Sequence, residues 1–135
     1  MKLTRASSYA LHAVAYMAAQ NTDKPVASHH IADARGIPDR FLLKVLKPLV
    51  AAQVLQSIKG PNGGYKLKRQ PKDISLLEIV EAVDGPIRGH SPFASDEIDG
   101  PLNAKLDNIC KVTAEQVRKQ LEKVKVSELL PAGKK

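Results

Sequence analysis

A chain of 135 residues, 43% of them hydrophobic, can bury one core and is too short for two independent ones. No apolar run approaches the length of a membrane span, and the start, MKLTRASSY, lacks the apolar centre of a secretory signal, so the sequence reads as cytoplasmic. A single cysteine, Cys110, excludes an internal disulfide framework and a cysteine-based zinc site, and a net charge of +7 points to polyanionic partners.

That charge is uneven. Residues 1–70 hold 11 Lys and Arg against 3 Asp and Glu, whereas residues 71–135 hold 10 against 11. A field concentrated in this way draws a polyanion to one face and makes binding salt-dependent. A membrane surface is the rival partner, but the basic residues do not lie on an amphipathic helix with a broad apolar face.

In chain order, a helix is predicted from the N-cap Thr4 to about residue 20, rich in alanine and so open to close approach by other helices. Lys2, Arg5, Ser7 and Ser8 crowd its beginning, where free backbone donors would also suit a phosphate; a plain solvated helix start is the alternative. A polar connection over residues 21–27 follows.

Residues 28–69 read as helix, turn, helix and basic hairpin, the order of a winged helix-turn-helix. Ser28 is expected to cap the first helix, Ile31 and Ala34 to face inward, and Gly36 to end it in the left-handed conformation. After Ile37 and Pro38, Asp39 is the expected cap of a second helix running from Arg40 to about residue 52. Leu42, Val45, Leu46 and Leu49 form its apolar side, and Pro48 predicts a bend between residues 44 and 48. Arg40, Lys44 and Lys47 line the opposite side with no acid among them, as a groove-reading helix requires, although an ordinary solvated face would look similar.

Strands are predicted at residues 55–59 and 65–69, joined by Gly60, Pro61, Asn62, Gly63 and Gly64. Lys59 stands at the entry to this turn, and Lys66, Lys68 and Arg69 lie on its return, so the hairpin offers cations beside backbone free of side chains. Ser28 and Tyr65 complete the candidate contacts at the two ends of the unit. The hydroxyl of Ser75 and the carboxylate of Glu78 then form a capping box for a helix ending before Gly85 and Pro86, with Leu76, Ile79, Val80 and Val83 as its buried stripe.

Residues 87–101 read as a flexible loop. From residue 102 a long amphipathic helix resumes, with Leu102, Leu106, Ile109, Cys110, Val117, Leu121 and Val124 assigned to one apolar side. A stripe of this length needs a cover, and a second copy of the chain is the economical one; folding back on its own domain is the alternative. The organisation expected is therefore a mainly α, winged helix-turn-helix DNA-binding domain over 1–86, the loop over 87–101, and a dimerisation helix with a docked tail over 102–135.

Nearly the whole chain resembles the Rrf2 family of bacterial winged-helix transcription regulators, which includes regulators of the iron-sulfur-cluster, nitric-oxide-sensing and cysteine-metabolism types. The resemblance is carried by Lys2-Leu3-Thr4, Tyr9-Ala10-Leu11, Ile31-Ala32, Gly36-Ile37, Phe41-Leu42, Lys44-Val45-Leu46, the wing GPNGGY and the segment ISLLEIVEAVDGP. It implies a homodimer on double-stranded DNA at a partly palindromic operator, with contacts by Arg40, Phe41, Lys44, Lys59, Pro61, Asn62 and Gly63.

Many family members hold an iron-sulfur cluster on three cysteines before the long helix, and only Cys110 is present here, so no cluster is expected. Cys110 reads as a small buried hydrophobe, with a redox thiol, or a mixed site with His90 and a partner's His12, as alternatives. His29 and His30 point in different directions on a helix, so no shared metal is expected between them.

A rival function is a protein-interaction module that binds DNA only with a metabolic partner protein. The chain carries no nucleophile and base set, no paired carboxylates and no P-loop lysine after GPNGGY, so it reads as a non-enzyme. Any small-molecule or protein effector is unknown from sequence.

Overall fold

The computed structural model describes residues 1–20, 22–90 and 100–131. Most of the expected loop and the basic end of the chain lie outside the described residues. The described elements are helix α1 (Arg5–Ala19), α2 (Ser28–Arg35), α3 (Asp39–Ala51), strands β1 (Leu55–Ile58) and β2 (Gly64–Leu67), then α4 (Leu76–Asp84) and the long α5 (Gly100–Lys123). Short 3-10 turns at Pro71–Asp73 and Val126–Leu129 follow β2 and α5.

The core is built where the apolar faces of α1, α2, α3 and α4 meet. Ala10, Ala13 and Val14 of α1, Ile31 of α2 and Leu42, Leu46 and Leu49 of α3 are completely buried. The small side chains of α1 let α3 and α4 pack closely against it, as the alanine content implies. Thr4 caps α1 by accepting a hydrogen bond from the Ser7 amide at 3.0 Å. The capping box of α4 is also present, with the Ser75 hydroxyl accepting from the Glu78 amide at 3.1 Å and the Glu78 carboxylate accepting from the Ser75 amide at 2.9 Å.

Several local expectations are corrected. Ala27, not Ser28, is the N-cap of α2, and Pro38, not Asp39, is that of α3; neither makes a side-chain cap bond, so both helices start one residue early and rely on packing. Ala34 is exposed, because the turn of α2 that follows Ile31 buries Ala32 instead. On α4 the buried set is Leu77, Ile79 and Val80, with Leu76 and Val83 half-buried. Helix α3 continues three residues beyond Pro48, and the Ala52 amide still reaches the Pro48 carbonyl at 2.9 Å. The left-handed residue that ends α2 is Gly36, as expected, with φ 64°.

The end of the chain belongs to this core. Helix α5 ends at Lys123, so Val124 lies beyond it, and residues 124–126 run beside the start of α4 as a one-residue bridge between Ser75 and Lys125. The Leu76 amide donates to the Val124 carbonyl and the Val126 amide to the Ile74 carbonyl, each at 2.9 Å. Val126 is thereby fully buried among residues of the N-terminal helices. The helix starts at Gly100, with Pro101 in its first turn, where a missing amide costs nothing.

Val126→Ala is expected to destabilise the protein by about 2 kcal/mol in urea denaturation at fixed protein concentration, the cost of removing methyls from a filled core. A loss below about 0.5 kcal/mol, typical of a peripheral site, would show the tail to be an attachment.

Candidate nucleic-acid interface

Burial of Leu42, Val45, Leu46 and Leu49 sets the roll of α3 about its axis, and that roll decides where its cations point. Arg40, Lys44 and Lys47 are exposed, and none makes an ion pair among the described residues. Phe41 lies between two of them: the Arg40 guanidinium carbon is 5.0 Å and the Lys44 ammonium 5.7 Å from its ring centre, both within cation-π range. The amino-terminal half of α3 therefore presents a cluster of long donors stiffened by an aromatic ring.

The wing follows directly. Strands β1 and β2 pair antiparallel with Leu55 opposite Leu67 and Ile58 opposite Gly64. The connection before α2 adds a single rung on the other edge of β2, with the Val26 and Tyr65 amides and carbonyls exchanging two hydrogen bonds of 2.8 Å. This rung explains Gly64, since a Cβ there would lie 2.3 Å from the Val26 carbonyl oxygen. At the tip the Gly63 amide donates to the Gly60 carbonyl at 3.0 Å, and a Cβ on Gly63 would lie 2.1 Å from the Ile58 oxygen. Lys59, Pro61 and Asn62 are exposed at the tip, while Gly63 and Tyr65 are half-buried. Tyr65 packs against the core, so its backbone and ring both support the wing from within.

Not all of the wing's cations are free for a ligand. The Lys68 ammonium donates to the Gln53 side-chain oxygen, and Lys66 reaches the Asp23 carbonyl at 3.4 Å. Arg69 is a strut: its Nε donates to the Gln53 carbonyl at 3.3 Å, one terminal nitrogen to the Asp73 carbonyl at 3.2 Å, and the other to the Glu78 carboxylate at 2.6 Å. Gln53, with φ 67°, is the left-handed residue where the chain leaves α3 for β1, and it gives no sequence signal beyond its position. Lys59 has no partner among the described residues.

The start of α1 is corrected. A carboxylate is already there: Thr4 donates to Asp84 at 2.9 Å and the buried Ser7 hydroxyl donates to it at 2.6 Å. Of the two hydroxyls expected beside a phosphate there, Ser7 and Ser8, the acid at the end of α4 takes that of Ser7, and it opposes a second anion beside it. Lys2 and Arg5 remain as exposed cations, and Ser28 is half-buried at the first position of α2.

Helix α5 carries two apolar strips rather than the single expected side. Leu102, Leu106 and Ile109 are 50%, 42% and 59% exposed, and Val112, unassigned from sequence, is exposed beside them. Cys110, Val117 and Leu121 are half-buried on the neighbouring side, which also carries the buried Asn103. Arg118 on that inward side pairs with Glu81 of α4, whose carboxylate also accepts from the Ile87 amide at 2.8 Å. The His29 and His30 rings are in edge contact at 4.3 Å, closer than expected for adjacent helical residues, but no group of three potential metal ligands occurs among the described residues.

A helix-turn-helix whose second helix is cationic on its outer face, followed by a glycine-tipped two-stranded wing, is the winged-helix arrangement of transcription regulators. The Rrf2 family profile, described as an iron-dependent transcriptional regulator, matches residues 3–132, and the chain belongs to that family. Protein aau3 of Rhizobium meliloti is 35% identical over 102 residues, 76% of this chain and 66% of that protein. A protein named as the HTH-type transcriptional regulator BadM of Rhodopseudomonas palustris is 32% identical over 130 residues, 96% of this chain and 81% of its own length.

Among solved structures, a transcriptional regulator from Listeria innocua superposes with a TM-score of 0.77 at 25% identity, covering 100% of this chain and 90% of that one. CymR of B. subtilis, described as its global cysteine regulator, shares the fold with a TM-score of 0.75 at 22% identity, covering 96% and 95%. The family is one of transcription regulators, not of enzymes. None of the described helices is long and apolar enough to cross a membrane.

Burial is the largest influence on the Glu78 carboxyl and works to raise its pKa, but hydrogen bonds from Arg69 and the Ser75 amide, the Arg69 charge and the Ser75 hydroxyl together hold it below the ordinary 4.5. A folded value below the unfolded one gives stability that is present above about pH 4.5 and lost as pH falls through the folded value. The stability gap between the wild type and Glu78→Gln is therefore expected to be largest near neutral pH and to close on acidification, as followed by urea denaturation. A gap unchanged down to pH ~3 would contradict the Arg69 strut.

Proposed function

We propose that the chain is a homodimeric, sequence-specific DNA-binding transcription regulator of the bacterial cytoplasm, acting at a partly palindromic operator and holding no iron-sulfur cluster. The observation that carries this reading is the stripe of Arg40, Lys44 and Lys47, exposed and without ion pairs among the described residues, on a helix whose other side is locked into the core. Arg40 and Lys44, near the start of α3, suit the acceptors O6 and N7 of guanine. Lys47, Lys59, the turn of Pro61, Asn62 and Gly63, and the exposed Lys2 and Arg5 suit phosphates, which fix register without reading sequence.

The line Leu102, Leu106 and Ile109, exposed among the described residues, supports pairing of two copies through α5, because an apolar line of this kind is suited to burial against the same line of a second copy. Pairing places two α3 helices on one side of a duplex, about 34 Å apart, and accounts for a two-fold operator. A cluster of the family's three-thiolate type does not fit, since one cysteine is the whole thiol complement of the chain. The regulatory signal is then of another kind, and the half-buried Cys110 of α5 is read as a packing residue.

Arg40→Ala is expected to weaken binding to a selected duplex by about 1 to 3 kcal/mol and to broaden its sequence preference. Lys59→Ala is expected to weaken all duplexes alike and to lower the slope of log K against log salt by about 1. Equal loss of discrimination in both variants would contradict the assignment of roles. Ile109→Glu is expected to yield monomers in sedimentation velocity while the helical circular dichroism is retained; a dimer unchanged by this substitution would place the interface elsewhere.

A further inference from the structure

We infer that Leu43 reads DNA: its methyl groups meet the C5 methyl of a thymine in the major groove and make one A·T pair in each half-site a determinant of the operator. This rests on the DNA-reading role proposed for α3 and adds a contact that its cations cannot make.

Helix α3 lacks the side chains that most directly read adenine. Its sequence, DRFLLKVLKPLVA, contains no Asn, Gln, Ser or Thr, so it has no amide for the N6 and N7 of adenine and no hydroxyl to substitute for one. Arg40 and Lys44 serve guanine. Apolar contact with the thymine methyl is a direct way for this helix to distinguish an A·T pair without an amide.

Two exposed apolar side chains stand near the start of α3 to make it. Phe41 is 37% exposed, but its ring is engaged by Arg40 and Lys44 at 5.0 and 5.7 Å. Leu43 is 48% exposed and has no such cover. It follows Arg40 by three residues and precedes Lys47 by four, so it lies beside both cations on the outward side of the helix. The core does not require it, because Leu42, Val45, Leu46 and Leu49 already fill the inward face. A leucine held among groove-facing cations, on a helix without amides, is placed where a thymine methyl would be met.

The test starts by selecting a preferred duplex from a random pool with the full chain, then replaces each thymine in one half-site by uracil, which removes only the methyl. One position is expected where this replacement weakens wild-type binding about three- to fivefold, the worth of one buried methyl. Leu43→Ala is expected to bind the thymine and uracil duplexes equally, while Leu43→Met, which keeps an aliphatic tip, retains the difference. A selected duplex without any methyl-sensitive position, or a sensitivity that survives Leu43→Ala and vanishes in Phe41→Ala, overturns the Leu43 assignment alone. Failure to select any duplex overturns it together with the DNA-reading role of α3.

Discussion

The roll of α3 is the constraint on which the rest depends. Four apolar side chains at helical spacing, each 3% exposed or less, can enter the core in only one orientation of this helix. Turning it by one residue would draw a lysine toward the interior, at a cost that an unpaired buried charge makes prohibitive. The same burial that stabilises the domain therefore aims Arg40, Lys44 and Lys47 outward. Pro48 does not disturb this, because it falls in the last turn, where the amide bonds that close the helix come from residues 52–54.

The wing has its own fixed geometry, and part of the positive charge of the chain is spent on it. Val26 and Gly64 bring the connection before α2 into register with β2, while Arg69 ties the far end of the hairpin to Gln53, Asp73 and Glu78. Charge counting over the N-terminal half treats Lys68 and Arg69 as equal to Lys59, but their hydrogen bonds are directed into the protein. What faces outward is a smaller set of cations held by rigid neighbours, which lowers the ordering cost of engaging a ligand.

Much of this was legible in the chain. The helices of the N-terminal half, the hairpin and the long C-terminal helix follow from apolar period and turn residues, and Thr4, Gly36 and the pair Ser75 and Glu78 announce themselves as local signals. What sequence could not show depends on partners distant in the chain. Asp84 reads as the last residue of a helix, yet it holds Thr4 and Ser7 from about eighty residues away. Val124 continues the apolar pattern of α5, but the chain leaves the helix before it and inserts Val126 into the core, because the edge of residues 74–76 offers backbone partners. The two strips of α5 were merged for a similar reason, since a helical wheel does not say which of two adjacent apolar lines the domain will cover. The outward position of Arg40, Lys44 and Lys47 follows from the helical period of α3, whereas an exposed leucine such as Leu43 carries no signal until its neighbours are known.

The account is tested most directly by placing a photoreactive side chain at position 47 on α3, with position 119 on α5 as the control, and mapping the cross-links on a selected duplex. It predicts cross-links from position 47 to nucleotides lining the major groove in two clusters about 10 base pairs apart, one for each copy of the chain, and none above background from position 119. A single cluster, or labelling from position 47 no stronger than from the control, would contradict it.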